Sequence, residues 1–275
     1  MAYRSITLTA TGMGGDAAAI EAAALLAKHC GAEIKVIPAF PDIAANYVAY
    51  GFALGAGAES AALSAISDAE HEAQAQLEAL AANAAAQTGV RISVETRALL
   101  PAAALARASV LADLAVFGAH SIHESPMCAD LFSETLLVTR AVTLLMGAGA
   151  PAPRAVAIAW DASAQAGRAV RAALPLLKAA ERIVILTNTD DENIQDAGAA
   201  PLTAYLALHG APAASVHTVH GDTVAQSLLD AAARECCDLI VAGAYGRPRL
   251  YEWALGGTTR TLVQAENAPH RLLAH

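Results

Sequence analysis

The segment GAYGRPRLYEWALGGTT, residues 243–259, combines residue types that can bind a phosphate group. It contains four glycines: Gly243, Gly246, Gly256 and Gly257. Glycine permits close approach of backbone amides, and the free amides at a helix N-terminus favour an anion. Arg247 adds a cation that can pair with a phosphate oxygen. The alternative is a glycine-rich turn that serves only to reverse the chain.

A second glycine-rich stretch, residues 12–17, has the G-x-G-x-x-A spacing of dinucleotide-binding turns. Asp42 lies beyond the spacing of about 20 residues expected for the acid that binds a ribose in such folds. We therefore favour an ordinary glycine-rich turn over NAD binding at this place.

Metal and catalytic chemistry have weaker support in the sequence. Five residues that can ligate metals follow one another closely: His120, His123, Glu124, Cys128 and Asp130. Their spacing matches no zinc pattern, so we interpret them as solvated loop residues and assign no metal ligand. The chain shows no Walker lysine, activated nucleophile or evident general base, and we assign no catalytic residue. Slow hydrolysis of a bound triphosphate stays open, because it needs few protein groups.

An internal repeat determines the architecture. Residues 113–119, DLAVFGA, align with residues 238–244, DLIVAGA, and residues 4–8 align with residues 154–158. The first pair is separated by 125 residues and the second by 150. The first half must therefore contain an additional segment, which residues 42–60 and a longer following helix could supply.

Each half alternates short apolar strands with alanine-rich helices, the pattern of an α/β protein with a parallel sheet covered on both faces. In the second half we predict strands at 155–160, 183–186, 215–219, 239–242 and 271–274. We predict helices at 163–180, 197–208, 223–235 and 257–265. The breaker-rich stretch GAGAPAP, residues 147–153, predicts a linker between two domains, 1–147 and 154–275. Ligands of such sheets lie beyond the carboxyl ends of the strands, where Asp161 and Gly243 are expected.

Composition excludes several classes of partner. The net charge of −9 argues against nucleic acid, whose binding depends on neutralising phosphates. The N-terminus has no basic-then-apolar leader, and no apolar stretch reaches spanning length, so we expect a cytoplasmic protein without a membrane partner. The four cysteines have neither disulfide nor zinc-knuckle spacing, and we interpret them as thiols: Cys30, Cys128, Cys236 and Cys237.

The spacing of these residues resembles that of the universal stress protein family in its tandem two-domain form. The ATP-binding members carry G-x2-G-x9-G after strand four, which Gly243, Gly246 and Gly256 match. Asp161, in AIAWDAS, stands where the family has an Asp in a DGS-like turn at the end of strand one. HGDTVAQSLL, residues 220–229, resembles the family's turn into its third helix. The specific motif occurs only in the second half.

The resemblance implies two tandem, open, five-stranded parallel sheets with helices on both faces, in a Rossmann-like arrangement. It implies a stress-response regulator or sensor that binds ATP, AMP or another adenine nucleotide in the second half, with or without Mg²⁺. Asp161 would then bind the ribose or adenine end. Gly257 replaces the family's Ser or Thr, and Thr258 is the nearest hydroxyl that could substitute for it. The alternatives are a nucleotide-free interaction module or a weak ATPase.

The first half departs from the motif. Thr11 stands in the place of Asp161, Ser121 replaces a glycine, and Leu131 and Phe132 align with Gly256 and Gly257. We expect the bulky side chains to fill the phosphate cradle, so that this half is a structural or protein-contact partner.

The family resemblance also predicts how the two halves assemble. It implies that they pair through their fifth strands, at 142–146 and 270–274, as a pseudo-dimer. Uncovered apolar edges would favour aggregation, which such pairing prevents. A homodimer of the whole chain is a further alternative.

Overall fold

The computed structural model describes most of the chain: residues 2–12, 14–40, 56–96, 101–188, 198–221, 223–244 and 257–275. The first half contains β1 Ser5–Ala10, α1 Asp16–Cys30, β2 Glu33–Pro38, α2 Ala56–Thr88, β3 Ile92–Val94, α3 Pro101–Ser109, β4 Leu114–Gly118, α4 Ala119–Glu124, α5 Pro126–Leu137 and β5 Thr143–Met146. The second half contains β6 Ala155–Trp160, α6 Ala164–Ala179, β7 Arg182–Asn188, α7 Ala200–Leu208, β8 Ala214–Val219, α8 Val224–Arg234, β9 Leu239–Gly243, α9 Gly257–Gln264 and β10 His270–Ala274.

The predicted strands and helices of the second half are all present, with boundaries within three residues of the expected ones. The longer helix expected in the first half is α2, which has 33 residues. Most of the segment at 42–60 lies outside the described residues. No helix in the described part of the chain combines the length and hydropathy that a membrane span requires.

The strands form one ten-stranded sheet in the order β3-β2-β1-β4-β5-β10-β9-β6-β7-β8. Neighbouring strands within each half are parallel, so each half is a five-stranded parallel sheet, as predicted. The two halves join where β5 and β10, the two fifth strands, run antiparallel with Leu144 opposite Leu272. This junction gives the molecule a pseudo-two-fold arrangement, with the two halves pointing in opposite directions.

Two hydrophobic clusters cover the two faces of this sheet. Val156, Ile158 and Leu272 belong to one cluster, while Phe117 and Leu273 belong to the other. Each cluster contains residues of both halves, because successive side chains of β5 and β10 face opposite sides of the sheet. The halves therefore share their cores across the junction.

The aspartates that begin the repeated segments explain part of the repeat. The carboxylate of Asp113 accepts hydrogen bonds from the backbone amides of Arg4 (2.7 Å) and Ser5 (3.0 Å). Asp238 accepts the corresponding bonds from Arg154 (2.9 Å) and Ala155 (3.0 Å). Each aspartate thus satisfies the amides at the start of its neighbouring strand, which would otherwise lack partners.

The segment between the halves is held by the side chain of His270. Its Nδ1 accepts the amide of Gly147 (3.0 Å), and its Nε2 therefore donates to the carbonyl of Ala150 (3.1 Å). His270 is buried, and this burial lowers the pKa of the imidazole below its ordinary value. The ring is consequently neutral at physiological pH, as its accepting nitrogen requires.

Candidate functional site

The carboxyl ends of β6 and β9 lie side by side. The two strands are parallel neighbours, and Ala159 is level with Ala242 in their register. The chain leaves β9 at Gly243 and leaves β6 at Trp160, directly before Asp161. Both residues predicted to lie at this edge of the sheet are therefore there, on adjacent strands.

Asp161 begins a tight turn into α6. Its Oδ1 accepts the backbone amide of Ser163 (2.9 Å), and the Oγ of Ser163 accepts the amide of Ala166 (3.1 Å). The first bond is an Asx turn, and the second caps the N-terminus of α6. The side chain of Asp161 remains exposed to solvent, and its other oxygen is available to a ligand. Between these residues Ala162 has a left-handed φ of 57°, a conformation that favours glycine.

The structure shows a packing reason for Gly243, while its predicted role at a phosphate stays a prediction. Its φ is not left-handed, and a Cβ placed on it would lie 2.5 Å from the backbone N of Ala166 and 2.8 Å from the carbonyl carbon of Gln165. The absence of a side chain therefore lets the first turn of α6 pack against the end of β9. Gly243 sets the position of the Asp161 turn, because that turn leads directly into the helix that Gly243 contacts.

Helix α9 begins with two exposed residues. Gly257 and Thr258 are exposed, and a Cβ on Gly257 would meet no atom of the described residues within 4 Å. The first amides of a helix have no intrahelical acceptor, and they carry a partial positive charge. Among the residues that the structure describes, none would obstruct an anion at the position of a Cβ on Gly257.

The other end of α9 is fixed by Arg271, which sequence reasoning missed. Its fully buried guanidinium donates to the carbonyls of Val263 (3.3 Å), Ala265 (3.4 Å) and Pro269 (2.8 Å). Burial lowers its pKa to about 10, so the group is still a cation at neutral pH. A cation at the carboxyl end of a helix is favourable. An arginine in the apolar strand HRLLA was the signal that could have revealed it.

Three of the predicted site residues, Gly246, Arg247 and Gly256, lie outside the described residues. The structure thus brings together the described members of the predicted set at one edge of the second half: Asp161, Gly243, Gly257 and Thr258.

The corresponding turn of the first half is occupied by the chain's own carboxylate. Asp16 accepts the amides of Thr11 (3.1 Å) and Gly12 (2.6 Å) and the hydroxyl of Thr11 (3.3 Å). Asp16 is buried, and Ala166 stands at the aligned place in the second half. A negative charge therefore already lies against these amides.

The expectation that Leu131 and Phe132 fill a phosphate cradle is wrong in its geometry. Both residues are buried in the middle of α5, which begins at Pro126, and the ring of Phe132 packs edge-to-face on Phe117 at 5.4 Å. Helices α4 and α5 take the place of a glycine loop, and Ser121 is buried in α4. The first half lacks a cradle because this segment is helical, and apolar side chains favour that packing.

The residues considered as metal ligands do not converge. His120 Nε2 lies 3.0 Å from Glu124 Oε2 on the exposed side of α4. Burial, followed by the charge of Asp16, raises the pKa of Cys128 to about 12, so its thiol is protonated at neutral pH. Among the residues that the structure describes, no group of three His, Cys, Asp or Glu side chains could hold a metal ion.

The fold is that of α/β proteins built from two repeated, Rossmann-like halves. The family model described as "Universal stress protein family" matches residues 153–269. The predicted resemblance is therefore confirmed for the second half, whose residues match the model of that family. A search of curated proteins finds no match to the chain.

Two solved structures are similar to the whole chain in fold. The structure of a universal stress protein from Archaeoglobus fulgidus DSM 4304 covers 98% of this chain and 95% of its own, with 14% identity and a TM-score of 0.66. A protein of unknown function from Pseudomonas aeruginosa PAO1 covers 99% of this chain and 92% of its own, with 13% identity and a TM-score of 0.57. At this level of identity the similarity establishes the tandem fold and nothing further.

Proposed function

We propose that the second half binds ATP or a related adenine nucleotide at the carboxyl ends of β6 and β9, and that the chain acts as a cytoplasmic stress-response sensor or regulator. The observation that carries the proposal is the placement of exposed Asp161 at the end of β6, beside the end of β9. A carboxylate suits ribose hydroxyls or the exocyclic amine of adenine, and helix amides such as those that begin α9 suit phosphate.

The described residues are compatible with an adenine nucleotide. Asp161 would hold the ribose or adenine end through its free oxygen, while Gly257 and Thr258 would hold phosphate oxygens at the N-terminus of α9. A bound nucleotide supplies its own anionic oxygens, and any accompanying Mg²⁺ would be held mainly by them. Gly246, Arg247 and Gly256 remain predicted ligands on the connecting segment.

The first half would serve as a partner for the second. The carboxylate of Asp16 repels a phosphate at the turn after β1, and α4 and α5 replace the glycine segment. We propose that the pairing of β5 with β10 makes the two halves a functional pseudo-dimer, whereas homodimerisation of the whole chain is the alternative.

A nucleotide-free interaction module is the second candidate function. Val110 and Leu111 are adjacent and are 69% and 87% exposed, beyond the end of α3. Exposed apolar pairs of this kind are typical of contact surfaces when they belong to a larger patch. Under this alternative the second half would keep the nucleotide fold without the ligand. A weak ATPase is a variant of the first candidate, and release of phosphate from ATP would reveal it.

Calorimetric titration of the whole chain with ATP, AMP and cyclic AMP tests the nucleotide proposal. We expect saturable binding of at least one of them at one site per chain. In the variant Gly257→Asp the new carboxylate lies at the start of α9, where it favours the helix and repels phosphate. Binding should therefore fall by roughly tenfold or more while the melting temperature is maintained.

Gly198→Asp is the matched control for that variant. A Cβ on Gly198 likewise meets no described atom within 4 Å, and Gly198 lies two residues before the start of α7, so the same charge is added near an unrelated helix start. This control should bind nucleotide like the wild type. Absence of binding of all three nucleotides to the wild type, or equal binding by both variants, would contradict the proposal.

A further inference from the structure

The antiparallel junction places part of the first half beside the candidate site of the second. Thr143, the first residue of β5, is opposite Leu273 of β10, and Ala274 of β10 is level with Gly243 of β9. The residues that lead into β5, 140–142, therefore lie at the end of the sheet where β9 ends. Arg140 is the charged residue of this stretch.

Arg140 occupies an unusual backbone position. It has a left-handed φ of 56° and follows the last turn of α5, which is closed by bonds from Thr139 N to Glu134 O (3.0 Å) and from Ala141 N to Thr135 O (3.1 Å). Glycine or asparagine is the usual residue at such a helix end. The side chain is exposed, and its guanidinium has neither a hydrogen bond nor an ion pair with the residues that the structure describes.

The pseudo-two-fold arrangement supplies an internal comparison. Arg140 precedes the first residue of β5 by three positions, and Asn267, with φ of 52°, precedes the first residue of β10 by three positions. Asn267 lies at the opposite end of the junction, where β4 ends at Gly118, because Arg271 pairs with Leu145 and the next residue of β5, Met146, pairs with Gly118. Asn267 therefore lies at the end of the junction that belongs to the first half, whose turn holds Asp16. Arg140 lies at the end that belongs to the second half, where Asp161 is exposed.

We infer that Arg140 of the first half binds a phosphate group of the nucleotide held by the second half. The inference rests on the proposed function and adds to the nucleotide site a residue from the other half of the chain. Two strand spacings, about 10 Å, separate β5 from β9, a gap that an extended guanidinium side chain and a phosphate chain can bridge together. In a protein with a net charge of −9, a local cation also offsets the general repulsion of a polyphosphate. Arginine suits this role because its planar donors match phosphate oxygens.

The variant Arg140→Gly tests the inference. It removes the cation and supplies the residue that a left-handed turn favours, so the melting temperature should be maintained or raised. Affinity for ATP should fall by roughly tenfold or more, as expected for loss of a hydrogen-bonded charge pair. Affinity for adenosine, which has no phosphate, should be unchanged.

Two controls separate the local effect from general ones. Asn267→Gly changes the matching turn without removing a charge. Arg91→Gln removes one positive charge at the far end of the sheet, beside β3. Both variants should bind ATP like the wild type. If Arg140→Gly binds ATP normally, or loses ATP and adenosine equally, the inference is wrong and the proposed function stands. If the wild type binds neither ATP nor adenosine, the inference is wrong, and if it also binds neither AMP nor cyclic AMP, the proposed function is wrong as well.

Discussion

Replacement of Gly243 by alanine should destabilise the second half far more than replacement of the aligned Gly118 by alanine destabilises the first half. The new Cβ would lie 2.5 Å from the N of Ala166, 2.8 Å from the C of Gln165 and 2.9 Å from the Cβ of Gln165. Two of these atoms belong to the backbone at the start of α6, and they cannot move aside by a rotamer change. The helix must therefore shift away from β9, together with the turn that contains Asp161.

The magnitude follows from two contributions. Overpacking of a close contact costs about 1–3 kcal/mol. A shift of α6 also weakens the bond from Ala166 N to Ser163 Oγ, and loss of such a cap costs about 1 kcal/mol. A total of about 2–4 kcal/mol lowers the melting temperature of a chain of this size by about 5–15 °C.

Thermal unfolding followed by circular dichroism measures this difference, with Gly118→Ala as the matched control. Gly118 lies 125 residues earlier at the aligned place. Its Cβ would lie 3.1 Å from the hydroxyl of Ser121, 3.5 Å from the Cβ of Ala19 and 3.8 Å from the Cβ of Ser121. The hydroxyl can rotate away, so the control should lose less than about 1 kcal/mol. Equal losses in the two variants would refute the interpretation that Gly243 is required by the contact with α6.

Three further predictions concern neighbouring residues. Asp161→Ala should weaken ATP binding by roughly tenfold or more in a calorimetric titration, whereas Thr11→Ala should leave it unchanged; equal effects would remove the asymmetry between the halves. Ala162→Gly should raise the melting temperature, because about 1 kcal/mol of left-handed strain is relieved at φ 57°, and an unchanged or lower value would contradict that reading. Burial lowers the pKa of His270 in the folded protein, so its contribution is complete above the ordinary value of 6.5 and is lost as pH falls below it. The wild type should therefore lose more thermal stability between pH 7.5 and 5.5 than His270→Gln, and parallel curves would show that this imidazole does not control the loss.

Much of the fold could be predicted from the sequence because its signals are local or repeated. Short apolar runs bounded by breakers define the strands of the second half, and the repeat extends the same order to the first. The aspartates at 113 and 238 recur because each binds the amides that begin a neighbouring strand. The joining of two sheets into one could be expected only from the family resemblance, because the register of β5 on β10 depends on contacts distant in sequence.

The site was harder to predict because a glycine in the sequence does not show which neighbouring group requires the absence of a side chain. Gly243 is predicted to contact a phosphate, and the structure shows in addition that a helix packs against it. Leu131 and Phe132 were interpreted as obstacles in a loop, yet they are interior residues of a helix that begins five residues before Leu131. Arg271 was missed because its partners are carbonyl groups, which leave no pattern in the sequence. Local pattern indicates where a turn lies, whereas the group that approaches it is decided by tertiary packing.

The joining of the two halves in one chain explains why the residues at their junction can differ. In a symmetric dimer of identical subunits, one residue type would occupy both turns before the fifth strands, and both strand-one turns would be alike. Here the two ends of the junction differ. Asp16 fills the strand-one turn of the first half, and Asn267 lies at that end of the sheet. Asp161 is exposed in the second half, and Arg140 lies at the end of the sheet where β9 ends. The amides of the strand-one turn in the first half are already bound by a carboxylate, so a cation at position 267 would have no phosphate ligand to bind at that turn. The asymmetric placement of charge is thus what a tandem chain with one nucleotide site would require.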